Sequence, residues 1–301
     1  MQDKQTHTPL GPAAAFGLLC LVAVSWGLTW PVNKAILSYA PPIWAVALRY
    51  VLATLFMLPI TWSLGRLRFP PRHDIPVVLS IGSLHMVMFG VLCSFGLLYV
   101  SAGRSVLVAY TTPLWVFPFA RIVLGEPLTA SRLAALALGL SGLAILVNPL
   151  ALDWADRNVL IGHGLILLAA ILWASSIVYA RLHKWTSSPF DLLIWQCGFA
   201  CLVLCPFAFL VEGPLVMQVD GHLVFLLVFS SAIGTVLPFW ALNTVNQSLP
   251  ATTTAIGLLG VPVIGVLSSF AFGERATVAT VLAMVLIVTG ISIGALGGRK
   301  R

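Results

Sequence analysis

Acidic side chains are scarce in this chain, and their positions matter more than their number. Nine aspartates and glutamates serve 301 residues, and charged residues of both signs make up 8%. Asp3, Asp74, Glu126, Asp153, Asp156, Asp191, Glu212, Asp220 and Glu274 all fall in termini, loops or the ends of apolar runs. An acid buried within an apolar run is the usual device for exchanging protons against a cationic solute, and the sequence has none. It also lacks paired carboxylates, a metal-ligand cluster, a phosphate-cradling glycine loop and a nucleophile–base pair, so a catalytic reading has no chemistry to stand on.

Cysteine is equally thin. The five cysteines, an odd number, all lie inside apolar runs and imply no disulfide framework. Cys197, Cys201 and Cys205 recur at helical spacing. That spacing suits a metal site or small apolar filling of a helix face. With no histidine or carboxylate on the same face, filling is the reading adopted. No metal, cofactor or catalytic residue is expected.

What the chain has in excess is apolar surface. Hydrophobic residues reach 59%, more than a soluble globule of this length could bury. Ten apolar segments, each long enough to cross a hydrocarbon layer of about 30 Å as a helix, lie at 13–37, 42–64, 75–100, 104–124, 130–150, 161–182, 190–211, 222–245, 252–272 and 277–297. They predict an all-α polytopic membrane protein. The first resembles a secretory signal, with Lys4 before it and Ala23-Val24-Ser25 within it, but an internal match to the segment beginning near Ile161 favours an uncleaved helix.

That match is the main feature of the sequence. Ser105 to Gly142 contains an apolar run broken by Pro113, stopped at Gly125-Glu126, restarted at Thr129 and carried to Ser141-Gly142. About 148 residues later the plan recurs as Pro262, Gly273-Glu274, Thr277 and Thr289-Gly290. Elsewhere Trp26 falls on Trp173, Lys34 on Arg181, Pro42 on Pro189 and Arg49 on Gln196. Two related five-helix units follow, 13–150 and 161–297. Because five is odd, the second must enter the bilayer from the opposite face. Such inverted repeats enclose a midplane site in secondary transporters.

Cations set the orientation. The side holding the termini and the even-to-odd loops collects Lys4, Arg66, Arg68, Arg72, Arg121, Arg132, Arg181, Lys184, Arg299, Lys300 and Arg301, whereas the other has Lys34, Arg104, Arg157 and Arg275. Both termini are therefore expected in the cytoplasm. The net charge of +7 reads as topology rather than nucleic-acid binding.

The motifs WGLTWPVNK in the first segment, PIWAVALRY in the second and the duplicated proline-helix-Gly-Glu-helix-small-Gly pattern resemble the drug/metabolite transporter superfamily, in particular a ten-helix member with two EamA domains. The resemblance covers nearly the whole chain. It implies a carrier and, within the superfamily, resembles exporters of amino acids, including the aromatic amino acid exporter group. Two departures stand out: Gln196 replaces the counterpart of Arg49, and Ala174 follows Trp173 where Gly27 follows Trp26.

Candidate site residues follow from the helical faces. Trp26, Thr29, Trp30 and Asn33 share one face of the first segment and should look into the bundle. His85 and Tyr99 share a face of the third; His85 either contacts substrate or bonds a neighbouring carbonyl. Tyr110 and Trp115 accompany Pro113, which frees a carbonyl for a solute or kinks the helix for packing. Trp173 repeats Trp26 in the second half, and Trp240 with Asn243 offers ring and amide near the end of the eighth segment. The substrate-binding set is thus Trp26, His85, Tyr99, Tyr110, Trp115, Trp173, Trp240 and Asn243.

Arg49 either counters a substrate carboxylate or latches onto helix-end carbonyls. With no acid placed near it by sequence, it joins the structural or hinge set of Pro113, Gly125, Glu126, Pro262, Gly273 and Glu274. Small residues such as Gly139, Gly142, Gly290 and Gly294 assign segments five and ten to scaffold packing or to a homodimer contact.

The expected function is a secondary transporter in a bacterial inner membrane. It would export amino acids and related small metabolites, or facilitate their movement, by alternating access, and no enzymatic activity is expected. The alternatives are a nucleotide-sugar or phosphorylated-metabolite exchanger, for which Arg49 supplies too few buried cations, and a multidrug efflux carrier. The expected partners are a small-molecule substrate and the lipid bilayer.

Overall fold

The computed structural model of the chain describes residues 12–125, 129–147, 157–248, 258, 260–275 and 277–297. Its helices are α1 (Pro12–Ile36), α2 (Pro42–Ser63), α3 (Ile75–Tyr99), α4 (Ala102–Leu124), α5 (Ala130–Val147), α6 (Arg157–Leu182), α7 (Pro189–Glu212), α8, α9 (Gly260–Ala271) and α10 (Val278–Gly297). Helix α8 is continuous through Gly221–Val228, Phe229–Val236 and Leu237–Ser248. Among the described residues, seven helices are long and apolar enough to cross a membrane, and α5, α9 and α10 carry the shorter apolar stretches Leu133–Gly142, Gly260–Ala271 and Val278–Ile293. The chain is an all-α polytopic membrane protein of two five-helix repeats, the second inverted relative to the first.

Local chemistry sets the boundaries. Ser101, Ser188 and Asp220 accept the N–H groups of Arg104, Asp191 and Leu223 at the starts of α4, α7 and α8. Gly125 and Gly273, at matching places in the two halves, take the left-handed conformation at φ 69° and 89°, which glycine adopts without a Cβ penalty. Helix α4 breaks at Tyr110–Thr111, immediately before Pro113. The ring costs a donor to the Ala109 carbonyl, but the Thr112 hydroxyl donates to that oxygen at 2.7 Å. The carbonyl is satisfied within the helix and is not offered to a solute.

Packing repeats itself about a pseudo-twofold axis. Helices α2 and α7 lie together, and the matching residues Thr54 and Cys201 meet at 3.5 Å. At one end of this pair the Arg66 guanidinium bridges Asp191 at 2.7 Å. At the other, Glu212 accepts the N–H groups of Ile43 and Trp44 at 2.9 and 3.0 Å, and the Trp44 indole donates to the Gly213 carbonyl. Reciprocity continues at the N-termini of α3 and α8: Asp74 accepts from the Thr186 hydroxyl at 2.6 Å, and Asp220 accepts from Tyr39 at 3.5 Å.

Helices α5 and α10 pack along each other with the same exchange. A Cβ on Gly142 would lie 2.9 Å from the Ala283 carbonyl oxygen, and one on Gly290 would lie 2.8 Å from that of Ala135. Small residues let these backbones approach closely. Of the two uses expected for them, the faces of Gly142 and Gly290 serve packing within the chain.

Two irregular stretches were not foreseen. Ile81–Met88 in α3 and Phe229–Val236 in α8 are π-helical, eight residues each and at corresponding positions of the two halves. A π-turn closes its hydrogen bond one residue later than an α-turn, so it rotates the following face. Both stretches border the central cavity.

Candidate functional site

The cavity opens where the two halves meet. It is a partly open space of about 660 Å³, solvent at its mouth included. Helix α1 contributes Trp26, Thr29, Trp30 and Asn33, the whole polar and aromatic face read from the sequence. Helix α2 brings Arg49, α3 brings His85, Phe89, Cys93 and Ser94, and α4 brings Tyr110 from its break. The second half supplies Trp173 from α6 and Gly234 and Phe239 from α8.

Trp173 is the hub of an aromatic chain. Its indole stacks on His85, centroids 4.8 Å apart and planes 14° from parallel, and meets Phe89 and Tyr110 edge-on at 5.1 and 5.9 Å. From His85 the chain runs to Phe239 at 6.2 Å, and from Phe239 to Trp26 at 5.9 Å. Offset and edge contacts of this kind hold rings in fixed orientation. The walls are therefore flat, apolar and ordered.

Polar groups are few and placed by hydrogen bonds. The Thr29 hydroxyl donates to the Ser25 carbonyl at 2.7 Å, and Asn33 Oδ1 accepts from Ser230 at 2.7 Å. Asn33 thus keeps its amide N–H₂ as a further donor group. Arg49 Nε donates to Thr235 Oγ1 at 3.0 Å, Thr235 donates to the Ser230 carbonyl at 3.0 Å, and Arg49 Nη2 reaches the Tyr50 hydroxyl at 3.4 Å. The guanidinium is tied to the π-helical stretch of α8 by a hydroxyl, in place of the helix-end carbonyls expected from sequence. It also lines the cavity.

The expected site residues divide. Trp26, His85, Tyr110 and Trp173 line the cavity. Tyr99 is 41% exposed at the end of α3 and off the cavity wall. Trp240 is 44% exposed, one residue beyond cavity-lining Phe239. Trp115 lies off the cavity, donating to Thr111 Oγ1 at 3.2 Å and packing beside Val116, Ala174 and Val178. The side chain of Asn243 lies outside the described residues, as does Glu126.

Of the structural set, Pro113 lies in the first turn of the second part of α4, and Pro262 is buried in α9, which packs on α1. Glu274 reaches from the end of α9 to the start of α4, where it accepts the N–H groups of Ala102 and Gly103 at 2.6 and 3.0 Å, with Lys34 Nζ at 3.6 Å. Phe89 and Phe239 were missed. Phe89 sits one turn from His85, a signal the sequence did carry. Phe239 is brought in only by tertiary packing.

Comparison with known proteins agrees with this architecture. An uncharacterized transporter of Bacillus subtilis, YvbV, is 27% identical over 286 residues, covering 92% of this chain and 90% of the relative. A probable amino-acid metabolite efflux pump of Escherichia coli is 26% identical over 293 residues, covering 94% and 95%. A solved crystal structure superposes with a TM-score of 0.65 at 19% identity over 96% of this chain and 99% of that one, a likeness of fold. The EamA-like transporter family model matches twice, at residues 14–148 and 160–294, once on each five-helix repeat. With both repeats matched and the aromatic cavity between them, the chain belongs to the EamA-like transporter family of the drug/metabolite transporter superfamily.

Proposed function

We propose that the protein moves amino acids and related small metabolites across a bacterial inner membrane by alternating access, with both termini in the cytoplasm, as an exporter or facilitator and without a chemical step. The observation that carries this reading is the aromatic cavity at the meeting of the halves, with Trp173, His85 and Trp26 as walls and Arg49 and Asn33 as polar groups. Flat rings suit a solute with an apolar part, and few polar groups suit a single charged or amide head. The probable amino-acid metabolite efflux pumps of Escherichia coli and Salmonella typhimurium, 26% and 25% identical over most of their lengths, support the same class. Purified protein in liposomes, loaded with a panel of labelled amino acids, provides the test. Flux above empty liposomes for at least one apolar or aromatic member is expected, and no flux for any member overturns the proposal.

A further inference from the structure

We propose that Arg49 selects for a carboxylate and that the cavity prefers an aromatic monocarboxylate over the matching amino acid, and both over the matching amine. This deepens the transport reading and rests on the same cavity. Its first support is a charge inventory. Among the described residues that line the cavity, Arg49 is the one permanently charged side chain, and none is an aspartate or glutamate. The described carboxylates are engaged elsewhere: Asp74 with Thr186, Asp191 with Arg66, Glu212 with α2, Asp220 with α8 and Glu274 with α4.

The second support is geometry. A guanidinium has five N–H donors in a planar fork. The Thr235 hydroxyl occupies Nε and the Tyr50 hydroxyl sits 3.4 Å from Nη2, and among the described residues no acid pairs with Arg49. The remaining donors belong to a cation fixed beside a low-dielectric space, where pairing with a carboxylate is short, directional and weakly screened. Arg49 is anchored by groups that do not neutralise it.

The third support is the polar remainder. The indole N–H groups of Trp26, Trp30 and Trp173 are donors without acceptor capacity, and the hydroxyls of Thr29, Ser94 and Tyr110 and the Asn33 amide are neutral groups that both donate and accept. A described wall with one fixed cation and no anion favours a ligand that carries negative charge. An ammonium finds ring faces there, and cation-π attraction offsets part of its cost. It finds no counter-charge, and it shares a confined space with Arg49. The carboxylate of an amino acid gains the guanidinium, while its ammonium gains no anion.

The test uses three probes with one ring and different heads: 3-phenylpropionate, phenylalanine and phenethylamine. Binding to the purified protein is followed by quenching of intrinsic tryptophan fluorescence, and flux is followed separately in liposomes. The acid should bind at least about tenfold more tightly than the amine, with the amino acid between them. Arg49→Gln should remove most of that preference, and Arg49→Lys, which keeps charge but loses the fork, should restore part of it. Equal or tighter binding of the amine, unchanged acid binding in a folded Arg49→Gln protein, or no binding of any probe overturns the inference. The wild-type ranking decides even where the variants do not fold. Binding with the predicted ranking but without flux would sink the transport reading and leave the carboxylate preference standing.

Discussion

The imidazole of His85 lies flat on the indole of Trp173, centroids 4.8 Å apart, and joins a helix of the first half to one of the second. The two residues are distant in sequence, and their stack closes one wall of the cavity. If the halves rock against each other, this contact lies at the seam that must adjust.

Removing the indole takes away the hub of the aromatic wall. We predict that Trp173→Ala lowers flux of the best amino-acid substrate by about tenfold, the scale of one lost aromatic contact together with its buried area. Gel filtration should show an unchanged, folded protein. Flux equal to wild type would remove Trp173 from the pathway.

His85 is the histidine on the cavity wall, with Arg49, Cys93 and Tyr110 as its other ionisable neighbours. Among the described residues of that wall there is no carboxylate to carry a coupling proton. The prediction is that any dependence of flux on an imposed pH gradient disappears in His85→Gln while exchange between identical solutes persists. Coupled flux surviving the change would place the coupling group elsewhere.

Gly290 tests the α5–α10 contact. A methyl group there would meet the Ala135 carbonyl oxygen at 2.8 Å and the Gly139 nitrogen at 3.0 Å, both backbone atoms that cannot swing aside. Gly290→Ala is predicted to destabilise the protein by about 1–3 kcal/mol, the usual cost of overpacking. The Tm in detergent should fall, whereas Gly164→Ala, inside α6 with nothing within 4 Å, should not lower it.

Asp74 predicts a pH dependence. Burial opposes its ionisation, yet hydrogen bonds from Thr186, His183 and Ser187 outweigh it and hold the carboxyl well below the usual range. A carboxyl with a depressed folded pKa stabilises the fold above its unfolded value and loses that contribution as pH falls through the folded one. Acid titration of detergent-solubilised protein should therefore show wild type exceeding Asp74→Asn in Tm at neutral pH, with the gap closing on acidification. A gap independent of pH from neutral down to strongly acid conditions would show that the charge is not what holds the loop.

The inverted arrangement is testable through Glu274. It lies in the turn after α9, on the face where α4 begins. With both termini in the cytoplasm, as proposed, the Arg275→Cys protein should react with a membrane-impermeant thiol reagent added outside intact cells. Labelling only after permeabilisation would reverse the proposed orientation.

Much of this was legible in the chain itself. Scarce charge and long apolar runs dictate a membrane bundle, because unpaired backbone groups in hydrocarbon are satisfied within each helix and side chains need only be apolar. The matching Pro113 and Pro262, and Gly125 and Gly273, disclosed the repeat, and an odd number of helices per repeat fixed its inversion. The face of Trp26, Thr29, Trp30 and Asn33 was readable for the same reason: α1 keeps a regular period along that face, so spacing translates directly into direction.

Where the period changes, that translation fails. The π-helical stretches in α3 and α8 carry His85 and Gly234, both on the cavity wall, and rotate the faces that follow them; nothing in local propensity announces them. The role of Arg49 was also undecided until helices met. In the sequence it is a cation with no partner in view; in the fold it is tethered by the Thr235 hydroxyl and left charged beside an aromatic space. Sequence determined that there are two five-helix halves of opposite sense, since that follows from counting apolar segments. Tertiary structure decided which side chains share the cavity, since that depends on rotations set by packing between segments far apart in the chain.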